Sequence, residues 1–299
     1  MRKIKRICTS RSRRNEGRIA YLFLAPSLAG TAVFVLLPFM EVVKRSFARM
    51  AGGGFAGLEN FAQVLGNQAF CQAMRNTLRF MVWCIPSLMG VSLLTAVLVR
   101  AAADRSGLFK TTLLLPMAIP VASVVYLWKL VFQPTGLLNR LPWLAAGPGV
   151  DFMGQKSAFY VLVFTYIWKN NGYDMILWLA GLDGIAGELY EAAKVDGAGA
   201  WQRFWYITVP GLKGTAFLAA VLSVMNSFKV FREAYLISGD YPHESIYMLQ
   251  HLLNNWFVSM DIQKMSAASV LLEGGVLAAA GLWCVRRRLR RKRGEETAG

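Results

Sequence analysis

Two stretches of otherwise apolar chain carry side chains able to do polar chemistry. The first reads Trp168-Lys169-Asn170-Asn171-Gly172-Tyr173-Asp174. The second contains Ser223, Asn226, Ser227, Lys229, Arg232 and Glu233. Polar and ionisable groups are costly inside a bilayer and default to functional readings there. Amides, hydroxyls and a carboxylate beside aromatic faces can hydrogen-bond and stack on a hydroxyl-rich solute. The same Asn and Ser can equally glue helices together. Lys169 can snorkel to an outer interface, and Arg232 with Glu233 can lie near an outer helix end. Glu273, beside Gly274 and Gly275, reads as one more buried acid, for packing or for transport.

Other chemistries have no residues to run them. There is no HExxH or GxSxG pattern, and no GxxxxGK[ST] loop, so the chain is not expected to hydrolyse ATP itself. Cys8, Cys71, Cys84 and Cys284 show no CxxC spacing, and His243 and His251 are the only histidines. Neither a metal site, nor a disulfide framework, nor a bound cofactor is expected.

The elements that must hold these groups are membrane helices. The chain has 299 residues, 55% hydrophobic and only 17% charged, against about 25% charged in a soluble domain. Its mean hydropathy is +0.39. That apolar content excludes disorder. A net charge of +16 would suit a nucleic-acid binder, but long uncharged stretches would not. A bilayer core about 30 Å thick needs roughly 20 apolar helical residues. Six runs qualify, at about 19–40, 78–99, 111–132, 158–179, 215–237 and 265–285, the middle ones carrying charges or polar groups. The fold class expected is therefore all-α and polytopic, with basic tails at 1–18 and 286–299 around a transmembrane domain at 19–285. The first run exceeds the 7–15 apolar residues of a signal-peptide core and reads as a retained span.

Lys and Arg placement orients the spans. The amino-terminal tail carries eight basic residues and one acid, the carboxy-terminal tail seven and two; together they hold +12 of the +16. Both termini are expected in the cytoplasm, facing anionic lipid, which requires an even number of spans. Arg100, Arg105 and Lys110 follow the same rule, whereas Lys44, Arg45 and Arg49 fall on the outer side against it. The Gly-rich stretch 51–57 and the Pro- and Gly-rich stretch 134–150 suit irregular outer segments.

The longest inner connection, 181–212, is not a floppy loop. Residues 188–196 are rich in helix formers, and Glu191 with Lys194 makes an i,i+3 pair. Gly197 can take the left-handed conformation that ends a helix. A second short helix is expected over 198–207, clustering Trp201, Phe204 and Trp205, before Pro210 interrupts the chain. Such a helical hairpin can fill a groove on a soluble partner or rest on lipid headgroups.

The residues of this hairpin also resemble a known family. Glu191-Ala-Ala-Lys-Val-Asp-Gly-Ala198 followed by Ile207-Thr-Val-Pro210 is similar to the EAA signature of ABC importer permeases. Glu188-Leu-Tyr190 ahead of it, with Trp201 and Phe204 behind, resembles the carbohydrate-uptake branch. Ala20-Tyr-Leu-Phe-Leu-Ala-Pro26, Pro116-Met-Ala-Ile-Pro120, Gly172-Tyr-Asp-Met175 and Ser227-Phe-Lys-Val-Phe231 extend the likeness to the maltose and glycerol-phosphate type, over almost the whole chain. Two departures, Ala186 and Gly214 where the family often has Pro, touch the ends of the hairpin region. The resemblance implies a second, related permease, two cytoplasmic ATP-binding subunits and an extracytoplasmic solute-binding protein as partners. It implies an ATPase-coupling surface at Glu188, Tyr190, Glu191, Ala192, Ala193, Asp196 and Gly197. It also implies a sugar cavity on the fourth and fifth spans, assigned here to Asn170, Tyr173, Asp174, Ser223, Asn226 and Ser227, with Lys229 as a weaker member.

Two competing readings follow from the residues. An ion-coupled secondary transporter would use midplane carboxylates such as Asp174 and Glu273, but leaves the EAA segment unexplained. A membrane-embedded enzyme lacks its catalytic constellation.

Overall fold

The structure is a computed structural model that describes residues 21–49, 54–102, 106–141, 149–238 and 242–296. The amino-terminal basic tail lies outside the described residues. The helices, in chain order, are α1 (Tyr21–Ser46), α2 (Glu59–Leu65), α3 (Gln68–Ala101), α4 (Ser106–Ala118), α5 (Val121–Phe132), α6 (Ala158–Asp183), α7 (Gly187–Val195), α8 (Ala200–Arg203), α9 (Lys213–Ser227), α10 (Phe231–Ser238), α11 (Leu249–Val258) and α12 (Ile262–Glu296). They fall into two compact units. One comprises the chain up to Asn67 and from Trp256 onward; the other spans Gln68–Asn255.

In the first unit, α12 packs on α1 and α2. A π turn at Ala32–Leu36 widens α1 just before Pro38, whose missing N–H removes one helical hydrogen bond. Asn60 ties the following loop down by donating to the carbonyls of Ser46 and Ala48, at 2.9 Å each. The last span was expected to end at 285, yet α12 runs on to Glu296. The Arg and Lys of its final turns are good helix formers, and cations suit a helix C-terminus. Glu273 proves exposed on this chain's own surface rather than buried, and a Cβ on Gly274 or Gly275 would meet nothing.

In the second unit, α6 is the central helix, in contact with α3, α4 and α9. The face of α3 that meets it is a stripe at helical spacing: Phe70, Ala73, Thr77, Phe80, Cys84, Leu88, Ser92, Ala96 and Val99 are all buried. The other face, with Leu78, Val82, Trp83, Leu94 and Leu98, is exposed and equally apolar. A helix apolar on both sides belongs in lipid, not water. Small residues let the backbones approach. A Cβ on Gly172 would overlap the Leu113 carbonyl of α4, and one on Gly181 would overlap the Thr215 side chain of α9.

Four helices among the described residues are long and apolar enough to cross a membrane: Tyr21–Ser46, Gln68–Ala101, Lys213–Tyr235 and Ile262–Leu282. The third run, expected as one helix over 111–132, is two segments bent by 92°. Pro120 has an extended backbone (ψ 140°), and a residue before proline is pushed out of the helical region. With the bent pair as one crossing there are up to five spans. The fourth run forms a 26-residue helix, α6, long enough at 1.5 Å per residue but too polar to qualify on hydropathy.

Candidate functional site: an intramembrane cavity and an exposed helical hairpin

The polar groups of α6 divide into those that face neighbouring helices and those that face a cavity. On the packed side, the Trp178 indole donates to Ser92 Oγ at 2.9 Å, and Thr95 Oγ1 donates to Asn171 Oδ1 at 3.3 Å. Asp174, 1% exposed, accepts from Ser223 Oγ at 3.0 Å, and the Ser223 carbonyl accepts from the Tyr166 hydroxyl at 2.7 Å. Partnered groups of this kind lower the hydropathy of α6 without exposing polarity to lipid.

The cavity, of about 150 Å³, opens where the bent pair α4–α5 and the helix Lys213–Tyr235, which carries a 3₁₀ turn, meet α6. Met117 and Val121 reach it from either side of the α4–α5 bend. Asn226, Lys229 and Glu233 reach it from α9, the 3₁₀ turn Phe228–Val230 and α10. Thr165, Tyr166, Lys169 and Asn170 of α6 and Arg232 of α10 complete the polar wall. Helices broken within a membrane are tolerated where they line a cavity, and they recur at transporter binding sites. Asn170 donates to the Tyr166 carbonyl at 2.8 Å, and Lys229 Nζ donates to Asn226 Oδ1 at 2.8 Å. Lys169 Nζ donates to Glu233 Oε1 at 2.7 Å. The second carboxylate oxygen, Oε2, is buried with no hydrogen-bond partner among the described residues.

At the other end of α6 stands the hairpin. α7 ends on Asp196, and Gly197 has φ +79°. The Gly197 N–H donates to the Lys194 carbonyl at 3.1 Å and the Ala198 N–H to the Ala193 carbonyl at 2.8 Å. This pair of bonds is a Schellman cap, which needs a residue in the left-handed region at that position. The chain then re-enters helix at α8, continues through a π turn at Phe204–Thr208, and turns once at Val209–Gly211. The two arms are joined by Tyr190 and Thr208, whose hydroxyls lie 2.9 Å apart. Glu188, Glu191, Ala192, Asp196 and Gly197 are exposed, Tyr190 and Ala193 half-buried.

The family model described as "Binding-protein-dependent transport system inner membrane component" matches residues 80–282. The chain belongs to that family. It is a permease of the inner membrane, and the matched stretch contains both the cavity and the hairpin. One relative is the "Probable ABC transporter permease protein YurN" of Bacillus subtilis, 32% identical over 84% of this chain and 89% of its own length. Another is the "Trehalose/maltose transport system permease protein MalF" of Thermococcus litoralis, 29% identical over 88% of this chain and 91% of its own. Among solved structures, a bacterial ABC transporter involved in importing the acidic polysaccharide alginate contains a chain of the same fold. Its TM-score is 0.77 at 22% identity, covering 94% of this chain and 99% of that one.

Within this permease, the six cavity residues expected from sequence separate. Asn170 and Asn226 line the cavity, as does Lys229. Tyr173 is half-buried and outside the lining. Asp174 and Ser223 bond to each other between α6 and α9, and Ser227 turns back to the Val224 carbonyl at 2.6 Å. Arg232 also lines the cavity without having been assigned to it from sequence, and the same holds for Lys169 and Glu233, which pair with each other. The charge signs of that pair were visible, but the two are 64 positions apart and nothing in the sequence pairs them.

Proposed function

We propose that this permease is one of two transmembrane subunits of an ATP-driven importer for a sugar or sugar-like solute. It spans the membrane six times, with α6 as the fourth span and both termini in the cytoplasm. Two ATP-binding subunits dock on the hairpin α7–α8, and an extracytoplasmic binding protein delivers the solute. The second permease supplies the facing wall of the cavity.

The observation that carries the reading is the cavity at the bend of α4–α5, with amide, amine, guanidinium and carboxylate groups on its wall. Asn170 and Asn226 offer amide donors and acceptors, and Glu233 Oε2 is a buried acceptor awaiting a hydroxyl. Those are the groups a neutral polyol needs. Family membership and relatives named for trehalose/maltose transport support the substrate class. In the cycle, ATPase closure moves the hairpin, and α6, continuous from cavity to hairpin, carries that motion to the wall. The ligand shifts the balance between inward- and outward-open states only by binding them differently.

The test is reconstitution with the cognate ATPase and second permease in proteoliposomes, measuring uptake of labelled mono- and oligosaccharides delivered by the binding protein. ATP-dependent uptake that Asn226→Ala weakens is expected. Uptake driven by a proton or sodium gradient without ATP would overturn the reading in favour of a secondary transporter.

A further inference from the structure

An open cavity of about 410 Å³ lies where the end of α3 meets the hairpin. Val97, Leu182 and Phe204 give it apolar walls. Three cations line it: Arg100 from the end of α3, Lys194 from α7 and Arg203 from α8. Arg100 is already occupied. Its Nε lies 3.8 Å from Asp183 Oδ1, and its Nη1 donates to the Leu182 carbonyl at 2.9 Å. Arg203 is different: its Nε is buried and has no hydrogen-bond partner among the described residues. A buried guanidinium N–H without an acceptor is costly, and guanidinium geometry suits phosphate oxygens.

The surroundings select the kind of phosphate. Phe204 stacks on Trp201, ring centroids 6.1 Å apart. Trp201, Trp205 and Tyr206 are 71%, 49% and 81% exposed. These three lie in the hairpin arm that leads into the apolar helix α9, and exposed Trp and Tyr bordering a membrane settle at the level of lipid headgroups. A hydrated free phosphate would use the cations and leave the apolar walls wet. A molecule with a phosphate at one end and hydrocarbon at the other satisfies both.

We propose that this cavity binds the phosphate of an anionic phospholipid. Arg203 and Lys194 hold the phosphate, and Val97, Leu182 and Phe204 cover the start of the acyl chains. Basic pockets between helices on the cytoplasmic side are where such headgroups bind. The bound lipid would tie both arms of the hairpin to the end of α3.

The test uses the purified full-length chain in neutral detergent and native mass spectrometry. The probes are phosphatidylglycerol, phosphatidylethanolamine of matched chains, and inorganic phosphate alone. Phosphatidylglycerol is expected to bind in preference to the zwitterionic lipid, and to bind about ten-fold more weakly to Arg203→Gln. Lys194→Gln, at an exposed position, is expected to weaken it in the same direction, and Arg286→Gln on α12 to leave it unchanged. Equal binding of both lipids, full retention in the Arg203 and Lys194 variants, or displacement of the lipid by inorganic phosphate would each overturn the proposal. Lipid binding is read without ATPase or solute, so its failure leaves the import reading standing.

Discussion

Lys169 Nζ and Glu233 Oε1 lie 2.7 Å apart, joining α6 to α10 across the cavity wall with side chains only 16% and 8% exposed. A pair so buried is held by its own geometry, because each charge alone would sit in a low-dielectric site without a partner. Removing one partner is expected to cost about 3–5 kcal/mol, whereas removing both together costs far less. Lys169→Met and Glu233→Gln should each lower the melting temperature of the detergent-purified permease. The double variant Lys169→Met with Glu233→Leu should recover most of that loss while transport stays impaired, since the Oε2 acceptor is gone. A double variant as unstable as the sum of the singles would show that the two charges do not support each other.

The neighbouring polar residues separate into two roles that kinetics can tell apart. Asn226 lines the cavity, whereas Ser223 hydrogen-bonds Asp174 between helices. Asn226→Ala is expected to raise the KM for uptake about ten-fold, the size of one lost hydrogen bond to a polar ligand. Ser223→Ala leaves a buried carboxyl short of a donor and should cost about 1–3 kcal/mol of stability, with KM changed less than about two-fold. The reverse pattern, a KM effect at Ser223 and none at Asn226, would move the solute site to the α6–α9 interface.

How much of this was legible beforehand depended on whether the signal was local. The hairpin was, because helix formers, a glycine at the turn and a proline downstream act within a few residues. The class and place of the apolar helices were also legible from run length. The break in the third run was not, although Pro120 stood within a quoted motif, because a proline in an apolar run either kinks a helix or ends it, and packing decides. Nor could composition say which Asn or Ser faced the cavity. Thirteen of the 26 residues of α6 are buried and most others half-buried, on several faces, so no clean period marks which side meets the cavity. Glu273 misled for the opposite reason: a lone acid in an apolar run looks buried, yet in this chain it faces outward.

Glycine at 172 is set by space rather than by backbone angle. A Cβ there would overlap the Leu113 carbonyl of α4, and α4 leads directly into the bend at Pro120 that shapes the cavity. Gly172→Ala must push α4 away, an overpacking cost of about 1–3 kcal/mol. It should reduce both the yield of monodisperse protein and the rate of uptake. Gly90→Ala is the control. Nothing lies within 4 Å of a Cβ at that helical position, so it should be neutral or stabilising by up to about 1 kcal/mol. Equal behaviour of the two variants in size-exclusion chromatography and thermal melting would remove the close approach of α4 to α6 as a constraint.

Glycine at 197 is the complementary case, set by backbone angle and not by space. Its φ is +79°, and a Cβ there would touch nothing. The left-handed region costs an ordinary L-residue roughly 1–2 kcal/mol, while Asn enters it more readily. Gly197→Val should open the Schellman cap, release the Ala193 carbonyl and misdirect α8 relative to α7. Retention of the ATP-binding subunits on the purified complex would then fall by about five- to thirty-fold, the factor that one to two kcal/mol represents. Gly197→Asn should retain them nearly as well as the unmodified chain, even though it places a larger side chain on the exposed surface. That ordering distinguishes a conformational requirement from a contact one. If bulk at 197 were what the ATPase groove rejects, Asn and Val would fail together, and Gly197→Ala would be the mildest of the three. A pull-down of the ATP-binding subunits with each variant, at matched permease levels, reads the order directly.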